Sequence, residues 1–286
     1  MKKSGMSHPW RGVLQREAAR GRSKTAPLQN PHVTEALPAA NPGSAADEQG
    51  KTLPLQTMFN EVPRHYDLIN RLMTCYFDQA WRKKAAVECL QGHPGSILDL
   101  CTGTGDLALM IAERAGRDTR ITAVDFSQPM LEAAGRKARQ RQAGGQLQII
   151  LGDAGRLPFP DEAFDVIGIA FAFRNLTFRN PRTAAYLAEI RRVLKRGGKF
   201  VIVETSQPRS AVLRRLFHGY LAAVVAPLGW LVSGHRGAYR YLAWSMRHYY
   251  SRNELAALLA GQGFSCIISR PLLGGVAALH VAGKAG

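Results

Sequence analysis

The chain has 286 residues, enough for one large hydrophobic core with an appendage. Its 46% hydrophobic content excludes disorder throughout, and a formal net charge of +17 suits a polyanionic partner, nucleic acid or acidic lipid. Cys75, Cys89, Cys101 and Cys266 are widely spaced and form no C-x-x-C pair, which argues against a disulfide framework or a zinc site and fits a reducing compartment.

Residues 1–50 mix Arg, Lys, Ser, Pro, Gly and Ala with no sustained apolar period. A disordered basic extension is expected there, ahead of one folded domain over residues 51–286. No apolar run follows Lys2 and Lys3, which argues against a secretory signal. From Leu53 to Leu90 the apolar residues Met58, Phe59, Val62, Leu68, Ile69, Leu72 and Met73 recur at helical spacing, predicting two or three short helices. Strands are then predicted at 97–100, 120–124, 148–151, 164–171 and 199–203, alternating with helices at 106–115, 127–142 and 181–194. Ser251 and Glu254 have capping-box spacing at the start of a last helix, followed by strands at 264–269 and 276–282.

Alternating strands and helices imply an α/β fold with a parallel, doubly wound sheet and helices on both faces. The loop between the last two strands is too short for a helical crossover, so that pair should be antiparallel. The expected architecture is a seven-stranded, mostly parallel, Rossmann-like sheet with a helical cap at about 208–250.

Ligands of an open α/β sheet bind beyond the carboxyl ends of its strands. There Asp99 closes the first strand, and Gly103 and Gly105 leave backbone open to close approach. Asp125 ends the second strand, where it can accept two ribose hydroxyls, and Asp153 with Ala154 follows the third, placed to hold an adenine edge. Gly103-x-Gly105-x-x-Ala108 also satisfies the dinucleotide fingerprint of nicotinamide dehydrogenases. Asp99 and Asp106 beside the loop would repel a pyrophosphate, however, and three strand-end acids suit a nucleoside without phosphates. The cofactor expected from these residues is S-adenosylmethionine, held by Asp99, Gly103, Gly105, Asp125, Asp153 and Ala154.

The sequence from about Met58 onward resembles the ubiquinone/menaquinone biosynthesis C-methyltransferase family, whose fold is the class I methyltransferase sheet. The resemblance rests on Met58-Phe59, on Arg64 to Asn70, on the loop Asp99 to Asp106, and on Leu157 to Asp161 with Phe164-Asp165. The more specific elements are Arg174-Asn175 after the fourth strand, Tyr239-x-Tyr241-Leu242, Gly275-Val276 and Leu279-His280. It implies methyl transfer to a ring carbon of a polyprenylated quinol, either demethylmenaquinol or a 2-methoxy-6-polyprenyl-1,4-benzoquinol. By it, Thr104, Asp125, Asp153 and Ala154 line the cofactor, and Arg174 the reacting ring. Departures from the family pattern are Ala172 in place of a glycine, Ala170 in place of a common serine, and Gly234 to Gly237 ahead of the late tyrosines.

A quinol carbon becomes nucleophilic when a neighbouring hydroxyl loses its proton, and a guanidinium suits the resulting phenolate. Arg174 is the candidate for that charge, with Tyr66 and Tyr239 as catalytic partners that orient or deprotonate the ring. His65 and His280 are further candidates, each equally readable as a structural residue. No metal is expected.

Between Gln207 and Asn253 there are seven arginines and no acid, flanking the apolar stretch Leu216 to Val232. This pattern predicts peripheral contact with an anionic bilayer, at the inner face of the cytoplasmic membrane, rather than a membrane span. The expected partners are the quinol and that membrane surface, with a second copy of the chain in a homodimer. A nucleic-acid methyltransferase is the alternative that the charge allows, but the segment after strand four lacks the D/N-P-P-Y/F/W element of amino-methylating enzymes. A cofactor-binding, non-catalytic component of a membrane quinone-synthesis assembly is the second alternative.

Overall fold

The computed structural model describes residues 33–35, 45–46, 52–53, 63–143, 145–225, 227 and 236–285, with backbone alone for 33–35, 45–46, 52–53, 63–66, 69 and 236–238. Most of the expected basic extension lies outside the described residues, as does Gly234-His235. Inside that stretch two short strands are described, β1 (Val33–Glu35) and β2 (Ala45–Ala46), and β3 (Thr52–Leu53) follows just after it. The first pairs in parallel with the sheet edge, where two of its three residues are β-branched.

Two helices, α1 (Pro63–Met73) and α2 (Phe77–Leu90), precede the alternating part. Then come β4 (Ser96–Leu100), α3 (Asp106–Ala112), β5 (Arg120–Asp125), α4 (Gln128–Gln140), β6 (Leu147–Leu151) and β7 (Phe164–Ala170). They are followed by α5 (Phe173–Thr177), α6 (Thr183–Val193), β8 (Leu194–Thr205) and α7 (Ala211–Tyr220), which runs into a π turn at Leu221–Val225. The chain ends with α8 (Arg236–His248), α9 (Arg252–Gly261), β9 (Phe264–Leu272) and β10 (Ala277–Lys284). The capping box expected from Ser251 and Glu254 is formed in full at the start of α9.

The main sheet has the order β1-β6-β5-β4-β7-β8-β10-β9. Its seven central strands are parallel except β10, which runs against both β8 and β9, as the short final connection requires. Period-two alternation divides each strand between two cores. Leu98, Ile167, Phe200 and Ile202 face a cluster with Tyr186, Leu187 and Ile190 of α6, while Ile97, Val166, Val201 and Val203 face Trp81, Ala85, Leu107 and Ile111. A third cluster joins Met73 of α1 to Phe217, Leu221, Tyr239 and Ala243, so the cap has its own small core.

Two details differ from the sequence expectation. The Lys195-to-Gly198 turn is absorbed into β8 as a bulge: Phe164 pairs with Leu194, but Val166 pairs with Lys199. The five-residue α5 directly after β7 is too short to show a helical period, and it carries Arg174 and Asn175. The strand order reverses between β4 and β7, so the ligand crevice is flanked by the loop after β4 and by α5.

Candidate active site

The loop after β4 is fixed by the acids of the strand ends. Asp99 is buried, and its Oδ2 accepts hydrogen bonds from Thr102 Oγ1 at 2.6 Å and from the Ala108 amide at 2.9 Å. It therefore ties the loop to the first turn of α3, and that oxygen is directed at the loop rather than at a ligand. Asp125 accepts from the Gly103 amide at 2.8 Å and the Ser127 amide at 2.9 Å, joining the loop to the end of β5. Asp153 accepts from the Gly155 amide at 2.9 Å and from Arg182 Nη2 at 3.3 Å. Ala154 beside it is buried against the core.

Burial pushes the Asp99 carboxyl up to about 7 and that of Asp125 up to about 6. Cys101 lies between the strand-end acids; burial, then Asp125, Asp99 and Asp153 in that order, push its thiol up. Such a concentration of carboxylates favours a ligand without negative phosphates and with a positive centre. Gly103 has φ +57° and open space where a side chain would begin, so backbone is presented to that ligand. Gly105 is required for a different reason: with φ +83°, a Cβ there would come within 2.9 Å of Ala134 Cβ on α4. These features fit an adenosyl sulfonium, with Asp125 and Asp153 as the acids nearest to accept hydroxyl or amino hydrogens.

Thr104 is buried and ties the loop to α1. Its hydroxyl donates to Asp67 Oδ1 on α1 at 2.6 Å and accepts from Lys137 Nζ at 2.9 Å. Lys137 also reaches Asp106 Oδ1 at 2.6 Å and pairs with Asp67. From Asp106 the chain of hydrogen bonds continues through Gln79 Nε2 to Asp78, which accepts from Thr74 Oγ1. The cofactor loop is thus latched to α1 and α2.

Those two helices form one wall of a cavity of about 370 Å³, whose other walls are α5, α7, the π turn and α8. Trp81, Phe171, Phe217, Leu242 and Met246 make it largely apolar. Arg174 enters it from α5, 4% exposed, with Nη1 3.4 Å from Glu204 Oε1 and from Thr205 Oγ1. Glu204 Oε2 also accepts from the Arg174 amide at 3.0 Å, which anchors the start of α5. Arg82 lies over the Phe171 ring at 5.0 Å and 3.7 Å from Asp78, and its charge is felt by both Asp99 and Asp106. It stands at the junction of loop and cavity.

The candidate residues are thereby sorted. Arg174 and Tyr239 both line the cavity and are buried. Tyr66 and His65 lie on α1, their side chains outside what is described. His280 sits within β10, buried, with Nδ1 2.8 Å from Ser269 Oγ; burial lowers it to about 4, and it does not line the cavity. It is a structural residue. Sequence reasoning missed Glu204 and Arg82, and gave Tyr241 no role beyond its place in the late motif. The first stands at a strand end and could have been found by extending the strand-end rule to the fifth strand.

The sequence profile of the ubiE/COQ5 methyltransferase family matches residues 45–284. The chain belongs to the ubiE/COQ5 methyltransferase family. As a member it is a methyltransferase whose methyl donor is S-adenosylmethionine, as the acid-ringed glycine loop already suggested. It is 43% identical over 224 residues to the demethylmenaquinone methyltransferase of Thermus thermophilus, covering 78% of this chain and 98% of the relative. The ubiquinone/menaquinone biosynthesis C-methyltransferase UbiE of Geotalea uraniireducens is 36% identical over 230 residues, covering 80% of this chain and 96% of the relative. The crystal structure of a SAM-dependent methyltransferase from Aquifex aeolicus shares the fold with a TM-score of 0.53 at 17% identity, covering 76% of this chain and 96% of that one.

Proposed function

We propose that this ubiE/COQ5-family enzyme methylates a ring carbon of a polyprenyl quinol, demethylmenaquinol or a methoxy-benzoquinol, in menaquinone or ubiquinone biosynthesis. The observation that carries the reading is a largely apolar cavity into which a buried guanidinium, Arg174, is set by Glu204, with Arg82 as a second buried guanidinium on the same lining. A flat ring fits against Trp81 and Phe171, and an oxygen that loses its proton meets a charge already in place. The names of its relatives support the same substrate class.

Bound S-adenosylmethionine supplies an electrophilic methyl group. Gly103, Asp125, Asp153 and Ala154 hold it; Asp99 and Thr104 hold the loop that holds it. Arg174 stabilises the ring oxyanion rather than taking its proton, since a guanidinium is a poor base. Tyr239, and Tyr66 from α1, orient the ring. The α1–α2 latch through Asp67, Thr104 and Lys137 keeps cavity wall and cofactor loop in register, a positioning task.

The prenyl tail leaves through the cavity mouth. Leu216 and Phe77 line the cavity and are 66% and 43% exposed, and Val212 beside Leu216 on α7 is also exposed. Arg214 and Arg215 are exposed on the same helix. This mixture of apolar and basic groups suits an anionic bilayer surface from which a lipid-tailed quinol is taken. No helix among the described residues is long and apolar enough to cross a membrane. The enzyme acts peripherally at the inner face of the cytoplasmic membrane, as a homodimer. Purified protein with methyl-labelled cofactor, offered demethylmenaquinol, a methoxy-benzoquinol and RNA in turn, tests the reading; label confined to RNA overturns it.

A further inference from the structure

We propose that Tyr241 is a catalytic residue whose hydroxyl donates a hydrogen bond to the same ring oxygen that Arg174 meets. The proposal rests on the quinol reading for the identity of the ring, and on the cavity alone for the site.

Among the described residues, Tyr241 Oη is the one buried side-chain hydroxyl that lacks a hydrogen-bond partner. Three other tyrosine hydroxyls are satisfied. Tyr249 Oη lies 2.9 Å from Thr177 Oγ1, Tyr220 Oη donates to the Met73 carbonyl at 2.8 Å, and Tyr250 Oη donates to the Thr177 carbonyl at 3.4 Å. A buried hydroxyl left without a partner is unfavourable, and a phenylalanine would fill the same space without that cost. The orphan is also in a telling place. Tyr241 lines the cavity from α8, while Arg174 lines it from α5 with its own Nε unpartnered. The two are electrostatic neighbours: the Arg174 charge works to lower a phenol that burial raises. Burial dominates, so Tyr241 keeps its proton and remains a donor.

Two donors from different elements, one charged and one neutral, line a largely apolar cavity whose other polar lining groups include Asn70, Arg82 and Asn175. That is the donor set for one oxyanion on an aromatic ring. In the transfer, the carbon–carbon bond forms as the carbon–sulfur bond breaks, and the methylated carbon then gives up its ring proton to solvent. Tyr241 takes no proton at any point. It offers a hydrogen bond that strengthens as negative charge gathers on the oxygen.

The test is Tyr241→Phe in the full chain, read in three ways. Thermal unfolding of the ligand-free protein should be unchanged or shifted upward, because no structural bond is lost. The single-turnover methylation rate should fall about 10- to 100-fold with cofactor affinity unchanged. Binding of 4-nitrophenolate, followed by its absorbance, should weaken about tenfold, the worth of one hydrogen bond to a charged oxygen. A wild-type rate, undiminished 4-nitrophenolate binding, no binding by the wild-type protein, or a marked loss of stability would each overturn the proposal. If the wild-type protein methylates neither quinol yet binds 4-nitrophenolate in a Tyr241-dependent way, the substrate assignment falls and the oxyanion site stands.

Discussion

Arg174 and Glu204 hold each other twice: Glu204 Oε1 lies 3.4 Å from Arg174 Nη1, and Oε2 accepts the Arg174 backbone amide at 3.0 Å. One carboxylate thus sets both the charge and the helix that carries it. Glu204→Gln keeps the shape but leaves the guanidinium buried without its counter-ion. A loss of about 3 kcal/mol in urea unfolding is expected. The methylation rate should fall at least about tenfold, because the charge is no longer fixed at the ring.

Thr104 and Lys137 act as one unit with Asp67, 2.9 Å separating the hydroxyl from the ammonium. Thr104→Val and Lys137→Met should each weaken cofactor binding. In a double-mutant cycle their effects should couple by about 1 kcal/mol, the size usual for contacting groups in one network. Additive effects, measured by titration calorimetry, would show that Thr104 contributes independently of the latch.

The sheet was legible because its physics is local. The short, almost continuously buried runs Ile97 to Leu100 and Phe164 to Ala170, glycines at turns, and acids at strand ends can all be read along the chain. The antiparallel finish followed from loop length alone. What escaped were features that depend on distant partners. The tie from Asp99 Oδ2 to Thr102 and to the Ala108 amide in α3 appears only with the folded loop. The bond from Thr104 to Asp67 exists only once α1 is folded back onto the loop. Arg82 and Tyr241 gain meaning only from the cavity that α2 and α8 enclose together, and α5 was too short to register. His280, matched by family pattern, proved to be buried in the sheet.

Asp125 sets a pH dependence. Burial raises its carboxyl to about 6, so the ionised form that accepts hydroxyl hydrogens is lost as the pH falls through that value. Cofactor affinity measured by calorimetry should be level above pH 7 and should decline below about pH 6. Asp125→Asn should bind about tenfold more weakly or worse at neutral pH, with that decline removed.

The exposed side chains of α7 give a prediction about membranes. Val212→Asp combined with Leu216→Asp places charge where 67% and 66% of those residues are exposed. Little stability should be lost, since neither side chain is in the core. Sedimentation with anionic vesicles should fall about tenfold, and activity on vesicle-embedded quinol should fall with it. Activity on a short-tailed, water-soluble quinol should fall less, and Val212→Asp alone, away from the cavity lining, should keep it.

The most direct measurement uses cofactor bearing a trideuterated methyl group, demethylmenaquinol as acceptor, and mass and magnetic-resonance analysis of the product. The account predicts the trideuteromethyl group on a ring carbon, one ring hydrogen lost, and no transfer by Arg174→Ala. The label on a quinol oxygen, or an unmodified quinol beside undiminished transfer to RNA, would contradict it.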